Sequence, residues 1–97
     1  MKRVEYHPDA RRDLIESVKF YEGCQVGLGG RFLDAVIHTE ALVRRHPDAG
    51  TPDARGTRRM RVPRFPFGVV YKTYRNIIVI FAVVNFSRRP GSWHERL

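Results

Sequence analysis

Ile77-Ile-Val-Ile-Phe-Ala-Val-Val84 carries no charge, no glycine and no proline, and six of its eight residues are β-branched. A half-buried strand alternates apolar with polar side chains, so this unbroken run reads as a strand covered on both faces. It is far too short to cross a bilayer as a helix. Before it stands Val69-Val-Tyr-Lys-Thr-Tyr74, separated only by Arg75-Asn76. A two-residue gap containing Asn predicts a tight hairpin, because Asn tolerates positive φ. After it the chain turns cationic at once, in Asn85-Phe-Ser-Arg88-Arg89-Pro-Gly-Ser-Trp93. The strand is scaffold, and it leads into a site.

Outward from this hairpin, the 97 residues are enough for one domain with a single core, residues 1–97. Arg58-Arg-Met-Arg-Val62 precedes the hairpin as another strand, with Met60 and Val62 facing in and Arg59 and Arg61 facing away. Pro63 and Pro66 bracket the bend between them. Residues 46–56 are dense in Pro, Gly, Asp and Thr and read as an exposed loop. Ahead of it, Arg31 to about Arg45 has Phe32, Val36 and Val43 on one side, with Leu33, Ile37 and Leu42 adjoining. That spacing predicts a helix, which Pro47 stops. An earlier helix starts at His7-Pro8-Asp9, where proline suits the first turn and the carboxylate suits the positive end of the dipole. Its apolar stripe is Ala10, Leu14, Val18 and Tyr21, and it ends near Glu22-Gly23. The glycine-rich link from Gly23 to Gly30 reads as a loop that turns the helices into an αα-hairpin. A short strand, Lys2 to Tyr6, comes first.

The order β-α-α-β-β-β predicts an α+β fold: a small antiparallel sheet with an α-helical hairpin packed on one face. The last three strands form a meander, and the first lies at its side. One face of the sheet is then left to Arg59, Arg61, Lys72 and whatever follows Val84.

Charge is distributed unevenly over this plan. Residues 1–53 hold eight Lys/Arg and nine Asp/Glu, whereas residues 54–94 hold nine Lys/Arg and no acid. A solubilising surface mixes the two signs, so a one-sign half calls for an acidic partner, either nucleic acid or an acidic protein segment. No basic amphipathic helix accompanies the charge, which argues against a membrane surface. The N-terminal stretch lacks the apolar core of a signal peptide, and the expected location is the cytoplasm. Cys24 is the only cysteine, and His7, His38, His46 and His94 are dispersed without ligand spacing, so neither a disulfide nor a metal site is expected. Gly27-Leu-Gly29-Gly30 lacks the preceding strand and the Lys-Ser/Thr of a phosphate loop. No serine sits in a nucleophile elbow, and no cofactor is expected. One constellation remains: Arg59, Arg61, Arg88, Arg89, Trp93 and His94.

Several short motifs carry a family resemblance. They are His7-Pro-Asp-Ala-Arg11, Gly27-Leu-Gly29 with Arg31-Phe32, His46-Pro-Asp-Ala-Gly50, Arg64-Phe-Pro-Phe-Gly-Val-Val-Tyr71 and Arg88-Arg-Pro-Gly-Ser-Trp-His-Glu-Arg96. In this order they resemble the RelE/ParE superfamily of bacterial toxins from type II toxin–antitoxin modules, on its ParE-like side. The resemblance implies a growth-inhibiting toxin neutralised by a cognate antitoxin in a hetero-oligomeric complex. It also implies one of two targets: DNA gyrase, inhibited by protein contact, or translated mRNA on the ribosome, cut without a metal. Nuclease members place cations on the second strand, at the start of the third and after the fourth, with a C-terminal tyrosine. By position Arg59, Arg61 and Arg88 fill three of those places, Gly68 stands where the third-strand arginine belongs, and Trp93 or His94 replaces the tyrosine. The missing cation favours gyrase. On that reading Arg88, Arg89 and Trp93 engage the target, while Arg59, Arg61, Arg88 and Arg89 meet the antitoxin. On the nuclease reading Arg59, Arg61 and Arg88 hold the phosphate and His94 moves a proton.

Overall fold

In the computed structural model, residues 2–87 and 93–97 are described, and the fold follows from the hairpin outward. β1 is Arg3–Tyr6, α1 is Pro8–Cys24, α2 is Leu28–Arg45, β2 is Thr51–Pro52, β3 is Arg58–Arg61, β4 is Phe67–Thr73 and β5 is Ile77–Asn85. One sheet runs in the order β1-β5-β4-β3-β2, which puts the Ile77–Val84 stretch near its middle. The β4–β5 hairpin closes where expected, with the Tyr74 N–H donating to the Ile77 carbonyl at 2.8 Å across Arg75-Asn76.

The α+β class and the helical hairpin on one face agree with the sequence. The sheet itself is mixed rather than antiparallel throughout, because β1 runs parallel to β5 from Arg3 opposite Ile77 to Tyr6 opposite Ile80. The helical hairpin between β1 and the rest reverses the chain twice, so it can deliver either direction, and side-chain alternation does not distinguish them. A two-residue edge strand, β2, was also not expected inside the turn-forming loop.

Both faces of β5 are covered, by different means. On the helix side, Ile78, Ile80 and Val83 pack with Val69 and Tyr71 of β4 and with Ala10, Phe32, Val36 and Val43 of the helices. Phe32, Phe65, Phe67 and Tyr21 form an aromatic group there, with Phe32 4.8 Å from Phe67 and 5.0 Å from Phe65 between centroids. Edge-to-face pairs of this kind add about 0.5–1.5 kcal/mol each beyond their buried area. The other face carries a smaller cluster of Val70, Ala82 and Trp93, with Ala54 and Val84 beside it.

The helical hairpin is fixed by a carboxylate. Glu22, in the last two turns of α1, accepts hydrogen bonds from the Gly27 N–H at 3.0 and 3.2 Å and from the Gly29 N–H at 3.0 Å. It therefore caps the start of α2 from the preceding helix, in place of an N-cap side chain on Gly27. With those donors satisfied, α2 begins at Leu28, and Gly29 and Gly30 lie in its first turn rather than in a loop. Of these three glycines, only Gly27 lies at positive φ, 87°, where a side chain would be strained.

At the other end of α2, the loop after Pro47 is held by a buried phenol. Tyr71 donates its hydroxyl to the Pro47 carbonyl at 2.7 Å and accepts from the Gly50 N–H at 3.1 Å. Arg58 adds a bond from its Nη1 to the Gly50 carbonyl at 2.8 Å. Burial raises the Tyr71 pKa, so the group stays a neutral donor. Replacing Tyr71 by Phe removes one hydroxyl and leaves Gly50 N–H and Pro47 carbonyl without that partner. We expect a loss of about 1–2 kcal/mol in stability by chemical denaturation, with an unchanged circular dichroism spectrum.

Candidate functional site

The face of the sheet away from the helices is set by strand alternation. Arg59 and Arg61 of β3 point there, since Met60 and Val62 between and after them join the helix-side core. Register then fixes their neighbours: Arg59 stands opposite Val70 and Arg61 opposite Gly68, while Val70 and Gly68 stand opposite Ala82 and Val84. Lys72 follows two residues after Val70 on the same face. Its ammonium lies 5.7 Å from the Tyr74 ring centroid.

Phe86 completes this arrangement. β5 ends at Asn85, whose Oδ1 accepts from both the N–H and the hydroxyl of Ser87, at 2.9 and 2.6 Å. This local turn stops the strand, as Asn side chains commonly do. The Phe86 N–H is meanwhile anchored on the Pro66 carbonyl at 2.8 Å. Its ring then folds back over Gly68: a Cβ on that glycine would lie 2.9 Å from Phe86 Cζ and 3.1 Å from Arg59 Cγ. The guanidinium carbons of Arg59 and Arg61 each lie 5.2 Å from the centroid of this one ring. Gly68 is thus the floor on which an aromatic ring sits between two arginines. Phe86 is not marked out in the sequence, because its seat depends on the strand register that sets Gly68 opposite Val84.

Trp93 takes a different place from the one the sequence suggested. Its ring is 4% exposed and packs on Val70 and Ala82, so it covers the open face instead of projecting from it. His94 opens a short 3₁₀ turn, His94–Arg96, with its ring edge-on to Trp93 at 4.5 Å, and its carbonyl accepts from Arg55 Nη1 at 3.4 Å. Its imidazole makes no hydrogen bond to Arg59 or Arg61. Arg88 and Arg89, assigned to target, antitoxin and phosphate from the sequence, lie outside the described residues.

The C-terminal turn is tied down by Arg96. The pairing of β4 with β5 slips between Val70 and Tyr71, leaving Phe81 as an extra residue in β5. Arg96 Nη1 donates to the Phe81 carbonyl at 3.1 Å. Its Nη2 donates to Asp13 Oδ1 at 3.1 Å, and Nη1 to Asp13 Oδ2 at 2.5 Å. Asp13 also accepts from the Val83 N–H at 3.2 Å, beyond the point where β1 stops. Hydrogen bonding to Asp13 raises the Arg96 pKa further, so the guanidinium stays charged. Arg96 was not singled out in the sequence, because its partner lies on α1, distant in the chain.

A concavity lies between α2 and the bend after β3. Leu28, Ala35, Pro63 and Phe65 give it an apolar lining, and Arg31, Asp34, His38 and Arg64 stand around it. Nearby on the helical hairpin, Phe20, Val26 and Ile37 are more than half exposed. Among the described residues no group of histidine, cysteine and carboxylate side chains is placed to hold a metal ion. No helix of the described residues is long and apolar enough to cross a membrane.

The sequence profile of the family described as "ParE toxin of type II toxin-antitoxin system, parDE" matches residues 4–90. Among solved structures, the chain is similar to one titled "Chromosomal ParDE TA system from P. aeruginosa". That match has a TM-score of 0.75 at 18% identity and covers 88% of this chain and 96% of the other. At this identity it speaks for the fold. No curated protein matches.

Proposed function

From the premise that the chain belongs to the ParE toxin family of type II toxin–antitoxin systems, we propose that it arrests growth by contact with DNA gyrase. The toxin acts in the cytoplasm, and a cognate antitoxin holds it silent in a hetero-oligomer. The observation that supports contact over RNA cleavage is the seat above Gly68. A metal-free nuclease fixes several cations around one phosphate and places an acid and a base beside it. Here a phenyl ring occupies the space between Arg59 and Arg61, and the imidazole of His94 is turned against Trp93. Among the described residues, the face offers charge without an acid and a base set around one phosphate position.

In this reading, Arg88 and Arg89 meet the target, while Trp93 covers Val70 and Ala82. Apolar residues of the antitoxin lie in the concavity of Leu28, Ala35, Pro63 and Phe65, where burial against the toxin replaces contact with water. Induction without antitoxin is expected to stop growth and raise a DNA-damage response while transcripts stay intact. Primer extension on translated mRNA, together with a damage-responsive reporter, checks this. Codon-positioned cuts in translated mRNA, or arrest with a silent reporter, would remove gyrase as the target.

A further inference from the structure

Arg59 and Arg61 of β3 both lay their guanidiniums against one aromatic ring, that of Phe86. Among the described residues neither guanidinium makes a hydrogen bond or an ion pair, whereas Arg3, Arg12, Arg44 and Arg96 are all paired with carboxylates. Glu5, on β1 at the far side of the sheet, is already taken by Arg3 at 2.9 Å. A phenyl ring attracts a guanidinium without offering it an acceptor, so the N–H donors of both arginines remain for an incoming anion. Holding both over a common ring also removes part of the side-chain entropy that binding would otherwise cost. Gly68 permits this, since any side chain there would push the ring away.

We propose that Arg59, Phe86 and Arg61 form a receptor for the side-chain carboxylates of an extended acidic segment of the antitoxin, with Phe86 setting the separation of the two guanidiniums. This rests on the reading that an antitoxin silences the chain, and it names the chemistry of the contact. A protein segment fits better than nucleic acid because each aromatic ring here already has a cationic or apolar neighbour, Phe86 and Tyr74 being 37% and 41% exposed beside theirs. Single-stranded RNA is gripped by stacking bases on free aromatic rings. Phe86 is engaged by two arginines, Tyr74 by Lys72, and Trp93 is buried on Val70 and Ala82. Half-buried Val84, next to Gly68 in the register, gives an aliphatic neighbour of the carboxylate a place to rest.

The test is fluorescence anisotropy of the purified chain with a labelled peptide of alternating Glu and Leu. The same peptide with Gln for Glu, and unlabelled oligouridylate, serve as comparisons. The acidic peptide should bind, and the Gln version should bind at least about tenfold more weakly. Arg59→Lys and Arg61→Lys should each weaken binding about tenfold although the charge is kept, because lysine cannot grip a carboxylate with two parallel donors. Phe86→Leu should weaken it about two- to fivefold, at an unchanged melting temperature. Lysine variants that bind like the parent would reduce the arginines to bulk charge and overturn the receptor. So would oligouridylate that displaces the peptide, or a wild-type chain that ignores the peptide altogether. Rescue of growth by the co-expressed antitoxin is scored separately, so the receptor can fail while the toxin–antitoxin reading stands.

Discussion

Trp93→Ala is expected to lower stability by about 3 kcal/mol, the low end of what removing a buried tryptophan costs. For a domain of this size that is roughly a 12–24 °C fall in melting temperature. The loss falls on the second face of the sheet. Val70 and Ala82 are fully buried on the face away from α1 and α2, and among the described residues of their cluster the indole is the largest group that keeps water off. Arg96 would still hold the end of the chain on Asp13, so the loss is one of packing. Trp93→Phe should recover a large part of it. Differential scanning calorimetry of the three proteins decides the point. If the alanine variant melts within a few degrees of the parent, the indole is not buried in solution. Trp93 would then return to the role of an exposed, target-facing anchor.

The second large effect separates two adjacent glycines. A Cβ on Gly29 would lie 2.6 Å from the Val18 carbonyl oxygen and 2.9 Å from Glu22 Cβ, both on α1. Backbone cannot yield as a flexible side chain does, so Gly29→Ala must part the helices or dislodge the Glu22 carboxylate from its cap. Overpacking of this kind costs about 1–3 kcal/mol. Loss of a capping carboxylate costs about 1 kcal/mol more. Against this stands at most about 1 kcal/mol from the better helix propensity of alanine. A net loss of about 2 kcal/mol is expected. Gly30 has nothing within 4 Å of its hypothetical Cβ, so Gly30→Ala should stabilise the chain by about 0.5 kcal/mol. Urea denaturation of both variants gives opposite signs if the helices approach each other at Gly29. Equal effects would contradict that crossing.

What could be read in the sequence, and what could not, divides by the range of the interactions. The central strand, the Arg75-Asn76 hairpin and the two amphipathic helices are written in local periodicity, and Ala10, Val36 and Ile80 are buried as their spacing required. The outward face of Arg59 and Arg61 followed from the same alternation. The start of α2 did not, because the cap on Gly27 and Gly29 comes from Glu22 on another helix. Nor did the parallel direction of β1, which the two helices leave open. At the candidate site, the cations were visible as an acid-free span, but the ring between them was not. Phe86 looked like one apolar residue in a polar tail, and only the strand register shows Gly68 beneath it. Trp93 followed two arginines and was read with them, whereas packing turns it onto Val70 and Ala82. The resemblance carried the function further than any single residue, and the match over residues 4–90 supports the toxin family directly.

The central claim is that this toxin stops cells by touching gyrase rather than by cutting RNA, and one measurement meets it directly. Purified toxin is added to purified gyrase, ATP and relaxed plasmid, and supercoiling is followed on a gel, with and without an excess of antitoxin. Supercoiling is expected to fall as toxin is added and to return when antitoxin is present. Undiminished supercoiling at toxin in large excess over gyrase, from a preparation that arrests growth when expressed, would contradict it.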